Sequence, residues 1–315
     1  MSVPPINDIR HRVLSYPPPS YIDPATLMRI ESLELRARSV VEGFMTGLHR
    51  SPYHGFSVEF TEYRQYVPGD DPRYLDWKLY ARSDRYYVKR YEDETNLRCH
   101  LILDQSRSMQ FGSVGYTKAD YARTLTATLA YFLNSQRDAI GLCSFSAEVD
   151  EYLPPRFRPG WLRRMIVALE KESPGKVTDL ARVLATIAER TRKRSLLVLV
   201  SDFLAPIDEL ETQLGLLRAA RHEVAVFQIL DPAECTLAFD APALFEDLET
   251  GEEIYVDPET ARADYIRQFE QHQQNVQAIC ERLGIQVTQL QTSDPLEQAL
   301  ADFLRLRQMS SSRRM

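Results

Sequence analysis

Asp104, Ser106 and Ser108 occupy alternate positions in the run Leu101-Ile-Leu-Asp-Gln-Ser-Arg-Ser-Met-Gln-Phe-Gly112. A carboxylate and two hydroxyls at this spacing in a tight turn bring three hard oxygens to one point, a donor set suited to Mg²⁺. Taken alone, the same residues also describe a turn-capping aspartate followed by two solvated serines. A second apolar run, Ser195-Leu-Leu-Val-Leu-Val-Ser-Asp202, likewise ends in an aspartate. Thr178 stands just ahead of a predicted helix, where its hydroxyl would either cap that helix or join the two aspartates.

Other chemistries find less support. The cysteines Cys99, Cys143, Cys235 and Cys280 show no C-x-x-C pairing and read as small buried hydrophobes, and the six histidines have no zinc spacing. Gly175-Lys-Val-Thr178 resembles a phosphate loop only superficially: Glu170 stands five residues before Gly175 and Val177 follows Lys176, so the G-x-x-x-x-G-K-S/T pattern fails. A phosphatase-like hydrolase using Asp104 as nucleophile beside Mg²⁺ is the alternative reading. Haloacid-dehalogenase-like enzymes place a second aspartate two residues after the first, but this chain has Ser106 there, and it contains no G-x-S-x-G elbow. The sequence therefore favours a protein that is not an enzyme.

The elements that must position these oxygens follow from periodicity. Near-continuous apolar stretches predict strands at 97–103, 139–145, 195–200, 223–230 and 285–290, and a more polar strand at 148–153 follows its predecessor too closely for a crossover helix. Helices are predicted at 118–136, with Thr117 as cap, and at 160–171, 178–192, 206–220, 258–283 and 295–308. Strands alternating with helices form a doubly wound, mostly parallel α/β sheet, here with one antiparallel edge strand. In the order 3-2-1-4-5-6 the strands ending at Asp104 and Asp202 are neighbours, about 4.8 Å apart, so both carboxylates can serve one ion.

The remainder is extension. Residues 1–23 carry five prolines and predict an extended arm, and 24–42 predict one amphipathic helix with Asp23 as N-cap and Pro24 in its first position. Strand-like pieces at 56–67 and 86–92 flank Pro68-Gly-Asp-Asp-Pro72 and a short helix holding Trp77, and 253–256 predict part of a small hairpin. Eight tyrosines between 51 and 96 suggest base stacking, but nine acidic residues from Glu59 to Glu94 offset the eight basic ones from Arg64 to Arg98, which fits a packing layer or protein interface better. The net charge of −7 gives no general attraction to nucleic acid or anionic membrane. No apolar run approaches the roughly 20 residues of a membrane span and no signal peptide is evident, so a cytoplasmic location is expected.

Asp104-x-Ser-x-Ser108, Thr178 and Asp202 resemble the metal-ion-dependent adhesion site of von Willebrand factor A domains. The chain more closely resembles the bacterial domain of unknown function 58 family. That likeness rests on Glu59-Phe-Thr-Glu-Tyr-Arg64, Pro68-Gly-Asp-Asp-Pro-Arg-Tyr-Leu-Asp-Trp77, the Asp104 run, Leu153-Pro-Pro, Ser201-Asp202, Asp231-Pro-Ala-Glu234 and Phe245-Glu-Asp-Leu-Glu-Thr-Gly251. The expected division is a flexible arm at 1–23, a helix and β extension at 24–96, an α/β domain at 97–308 and a tail at 309–315, and the resemblance, which runs from about Ser51 to Arg307, implies that the extension is family-specific and the domain von Willebrand factor A-like. It also implies Mg²⁺ or Mn²⁺ held directly by Ser106, Ser108 and Thr178, with Asp104 and Asp202 acting mainly through water. Family members are commonly encoded beside MoxR-type AAA+ ATPases, so the implied partner is such an ATPase or its client.

Overall fold

The computed structural model describes residues 21–50, 62–65, 87–90, 98–146, 148–171, 180–191, 193–239, 241–246, 251 and 253–312. Thr178, the segment from Pro68 to Trp77 and the arm before Tyr21 lie outside them.

Six strands form the central sheet: β3 (Arg98–Asp104), β4 (Ala139–Phe145), β5 (Val149–Arg156), β6 (Leu196–Ser201), β7 (Glu223–Leu230) and β10 (Gln286–Gln291). Their order across the sheet is β10-β7-β6-β3-β4-β5, the expected 3-2-1-4-5-6. All neighbours are parallel except β5, which runs antiparallel on β4 at the edge. This is the doubly wound, mostly parallel α/β arrangement with one antiparallel edge strand. Two further antiparallel pairs, β1 (Glu62–Gln65) with β2 (Tyr87–Arg90) and β8 (Ala243–Glu246) with β9 (Glu253–Val256), stand apart from it.

The helices are α1 (Pro24–Met28), α2 (Leu33–Arg50), α3 (Lys118–Ser135), α4 (Trp161–Leu169), α5 (Leu180–Arg190), α6 (Ile207–Ala219), α7 (Pro232–Thr236), α8 (Pro258–Leu283) and α9 (Leu296–Ser312). Alternation along β3 assigns its residues to two cores. Leu101 and Leu103 face one core with Leu125 and Leu129 of α3, Met165 of α4 and Phe303 of α9, while Ile102 faces the other with Leu184 of α5, Leu214 of α6 and Ile279 of α8.

The single predicted helix at 24–42 is two. Asp23 caps α1 as expected, its carboxylate accepting from the Thr26 amide at 2.9 Å, but the chain breaks after Met28 and restarts with the Ser32 hydroxyl accepting from the Leu35 amide at 3.3 Å. The break lets Leu27 and Leu33 both reach the core. Val40 and Val41 of α2 join the same core, so these helices complete the domain. α3 lies between α2 and the sheet, and its buried Thr126 and Thr128 satisfy their hydroxyls on the carbonyls of Ala122 and Thr124.

Gly141 permits the edge pairing: a Cβ there would stand 2.6 Å from the Leu153 carbonyl oxygen, where the β4–β5 register shifts. Trp161 locks the same corner by donating to the Ile140 carbonyl at 2.8 Å.

Candidate metal and protein-binding site

β3 and β6 end side by side, so Asp104 and Ser201 close one edge of the sheet and Asp202 lies one residue beyond. The Ser201 hydroxyl donates to Asp104 Oδ2 at 2.6 Å, and the Ser106 amide donates to Oδ1 at 2.9 Å. The hydroxyls of Ser106 and Ser108 lie 3.0 Å apart, in a turn that continues as a 3₁₀ helix over Ser108–Gln110. Ser108 also lies close enough to Asp202 to help hold its carboxylate down. Four of the five expected residues therefore converge; Thr178 lies outside the described residues.

Lys118 was not legible as part of this site. Its ammonium is fully buried and donates to Asp202 Oδ2 at 2.9 Å and to Glu234 Oε1 at 2.5 Å. A cation in the first turn of a helix opposes the helix dipole, so local stability does not explain its position. The capping box between Thr117 and Asp120 starts α3 and thereby aims Lys118 inward. Gly112 makes that start reachable: a Cβ there would collide with the Tyr116 carbonyl and stand 2.8 Å from Thr117 Cα. α7 supplies the other acid, its own capping box formed by Asp231 and Glu234. Asp231 also accepts from the Ser113 amide at 2.8 Å, from the Ser113 hydroxyl and from the Ala233 amide, tying the loop after β3 to the start of α7.

Burial, then the charge of Asp202, pushes the Asp104 carboxyl up to about 7 against the pull of its hydrogen bonds. Burial also works to raise Asp202, but the Lys118 ammonium, Ser108 and the Leu204 amide outweigh it and hold this carboxylate below its ordinary range. Burial lowers Lys118, yet its two carboxylate partners more than reverse that, whereas Glu234 is raised because burial outweighs its ammonium partner. Phe203, just past Asp202, adopts a left-handed φ of 55° that is strained for an aromatic residue, with its amide held by the Ser201 hydroxyl at 3.1 Å.

The site is more enclosed than expected for loops at a sheet edge. Asp104, Ser106 and Asp202 are 3%, 1% and 3% exposed, and the fully buried Lys118 bonds Asp202 from within the fold. Ser108 is half-buried, and Arg107 before it and Leu204, two residues past Asp202, are exposed. Among the described residues no three His, Cys, Asp or Glu side chains surround one point as metal ligands. The donor set of two carboxylates and two hydroxyls is hard oxygen throughout and fits Mg²⁺ or Mn²⁺.

The family described as protein of unknown function DUF58 matches residues 62–275, and the chain belongs to it. Uncharacterized protein Rv1480 of Mycobacterium tuberculosis and Mb1516 of Mycobacterium bovis are each 28% identical over 298 residues, spanning 91% of this chain and 92% of their own length. Among solved structures, BatB from Bacteroides thetaiotaomicron is 14% identical with a TM-score of 0.41, covering 67% of this chain and 99% of its own. The SpRpn10 VWA domain is 12% identical with a TM-score of 0.39, covering 65% and 94%. Among the described residues no helix is long and apolar enough to cross a membrane.

Proposed function

We propose that this chain is a non-enzymatic, cytoplasmic protein-binding module whose sheet-edge site holds Mg²⁺ or Mn²⁺ and presents it to an acidic side chain of a partner, a MoxR-type AAA+ ATPase or its client. The observation that carries this reading is the local charge. Asp202 and Glu234 share the buried Lys118 ammonium, and burial, then the charge of Asp202, raises the neighbouring Asp104 to about 7. Ser106 and Ser108, joined by Thr178, would hold the ion directly, with Asp104 and Asp202 behind them. Lys118 neutralises part of Asp202, which leaves a bound divalent ion more of its own positive charge for an external carboxylate.

The hydrolase alternative lacks this support, because both Asp104 oxygens are engaged by Ser201 and Ser106 and neither neighbour is a general base at neutral pH. The test is capture of the purified MoxR-type ATPase from the same organism in Mg²⁺, in EDTA and after Mg²⁺ is restored. Binding is expected only with the ion and to fall at least tenfold in Ser108→Ala. Capture unaffected by EDTA refutes the bridge, and hydrolysis of chromogenic phosphate esters that is lost in Asp104→Asn would establish the enzyme reading.

A further inference from the structure

The β8–β9 hairpin and the corner around Trp161 are complementary surfaces on one chain. Leu244, Ile254 and Tyr255 of the hairpin are 58%, 61% and 71% exposed, the three most exposed large apolar side chains among the described residues. Between Thr236 and Ala261 the sequence carries eight acidic residues and no Lys or Arg. The hairpin is anchored at its base: Phe245 packs edge-on to Phe239 at 5.0 Å, and Arg262 of α8 donates to the carbonyls of Leu237 and Phe239. An anchored ribbon displaying apolar side chains among acids is shaped to meet a surface that is apolar and basic.

The corner at β5 and α4 offers that surface. Arg156, Arg158, Arg163 and Arg164 are all exposed, no acidic residue occurs between Tyr152 and Leu169, and none of the four arginines has an ion pair among the described residues. Three of them gather on the Trp161 ring, with guanidinium carbons 5.5, 4.6 and 5.5 Å from its centroid. Phe157 and Val167, each 51% exposed, supply the apolar part. Among the described residues the guanidiniums are therefore held close together without an ion-pair partner. The hairpin leaves the chain between β7 and β10, whereas β5 forms the opposite edge, four strand spacings or roughly 19 Å from β7.

We propose that a second copy of this chain is the occupant: the acidic hairpin of one molecule docks on the arginine corner of the next. The contact is heterologous, so every assembly keeps one free hairpin at one end and one free corner at the other, and association proceeds head to tail. It uses none of the metal-site residues and does not depend on Mg²⁺.

Sedimentation of the purified chain tests this. At about 0.05 M salt the weight-average mass is expected to climb with concentration beyond the 36.3 kDa monomer, equally in Mg²⁺ and EDTA, and to return to it at about 0.5 M salt. Glu246→Lys with Glu253→Lys, and separately Arg158→Glu with Arg164→Glu, should each give a monomer. All four positions are exposed, so the fold should survive. An equimolar mixture of the two variants should associate again, because each surface then meets its reversed complement. A monomeric wild type at low salt, or association that survives either pair of substitutions, overturns the proposal.

Discussion

Lys118 is the residue on which the site's electrostatics turn. Its loss leaves Asp202 and Glu234 facing each other in a buried space, and breaking a buried ion pair from one side costs about 3–5 kcal/mol. Lys118→Met should therefore lower stability by that order in urea denaturation, and Mg²⁺ should recover more of it than it adds to the wild type. Equal Mg²⁺ gains in both proteins would separate the lysine from the ion. The ion itself should raise the melting temperature, with about 2.7 kcal/mol gained at a hundredfold excess over Kd, and Asp104→Ala should abolish that gain. At the other end of β3, burial, then the charges of His222 and Arg98, pushes His100 down from 6.5 to about 4. The unfolded chain takes up this proton as pH falls through the ordinary value, while the folded chain stays neutral until about pH 4. The His100 contribution to stability should fall across that window by up to about 3 kcal/mol, opposed by Asp104, which takes up its proton more readily in the folded chain. In His100→Phe this loss should vanish, so urea midpoints fall less, or rise more, on acidification than in the wild type, and an unchanged pH dependence would assign the effect elsewhere.

At the scale of elements, the turn from Asp104 to α3 depends on a close backbone approach. Gly112→Ala must displace the Tyr116 carbonyl and with it the start of α3. The expected loss is about 1–3 kcal/mol, together with a smaller Mg²⁺-induced melting shift, both read by calorimetry. The strands and their order were legible because β3, β6 and β7, covered on both faces, carry nearly unbroken apolar runs, and because the link from β4 to β5 is too short for a helix. The break between α1 and α2 was not, since Leu27, Ile30 and Leu33 keep helical spacing across it and only Ser32 marks the restart. α7 has a readable signature of its own, an aspartate cap, a proline in the first position and a glutamate at the third, but five residues give no periodicity. Lys118 escaped for another reason: its partners stand 84 and 116 residues away, and nothing local announces a buried cation.

Across the whole molecule, α1 and α2 share a core with α3 and α9 and should melt with the sheet. Leu33→Ala, in a helix outside the sheet, is expected to cost about 2–5 kcal/mol in a single transition by circular dichroism. A separate early transition would instead make these helices an independent unit. Asp231 joins distant parts of the chain in the same way. It holds Ser113 behind β3 and the Ala233 amide of α7, and the Thr292 hydroxyl after β10 lies 3.5 Å from its carboxylate. Loops that share one acceptor lose it together, so the Ser113 and Ala233 amides should exchange their hydrogens for deuterium at one common rate, as a single opening event. Asp231→Asn should speed both by the same factor.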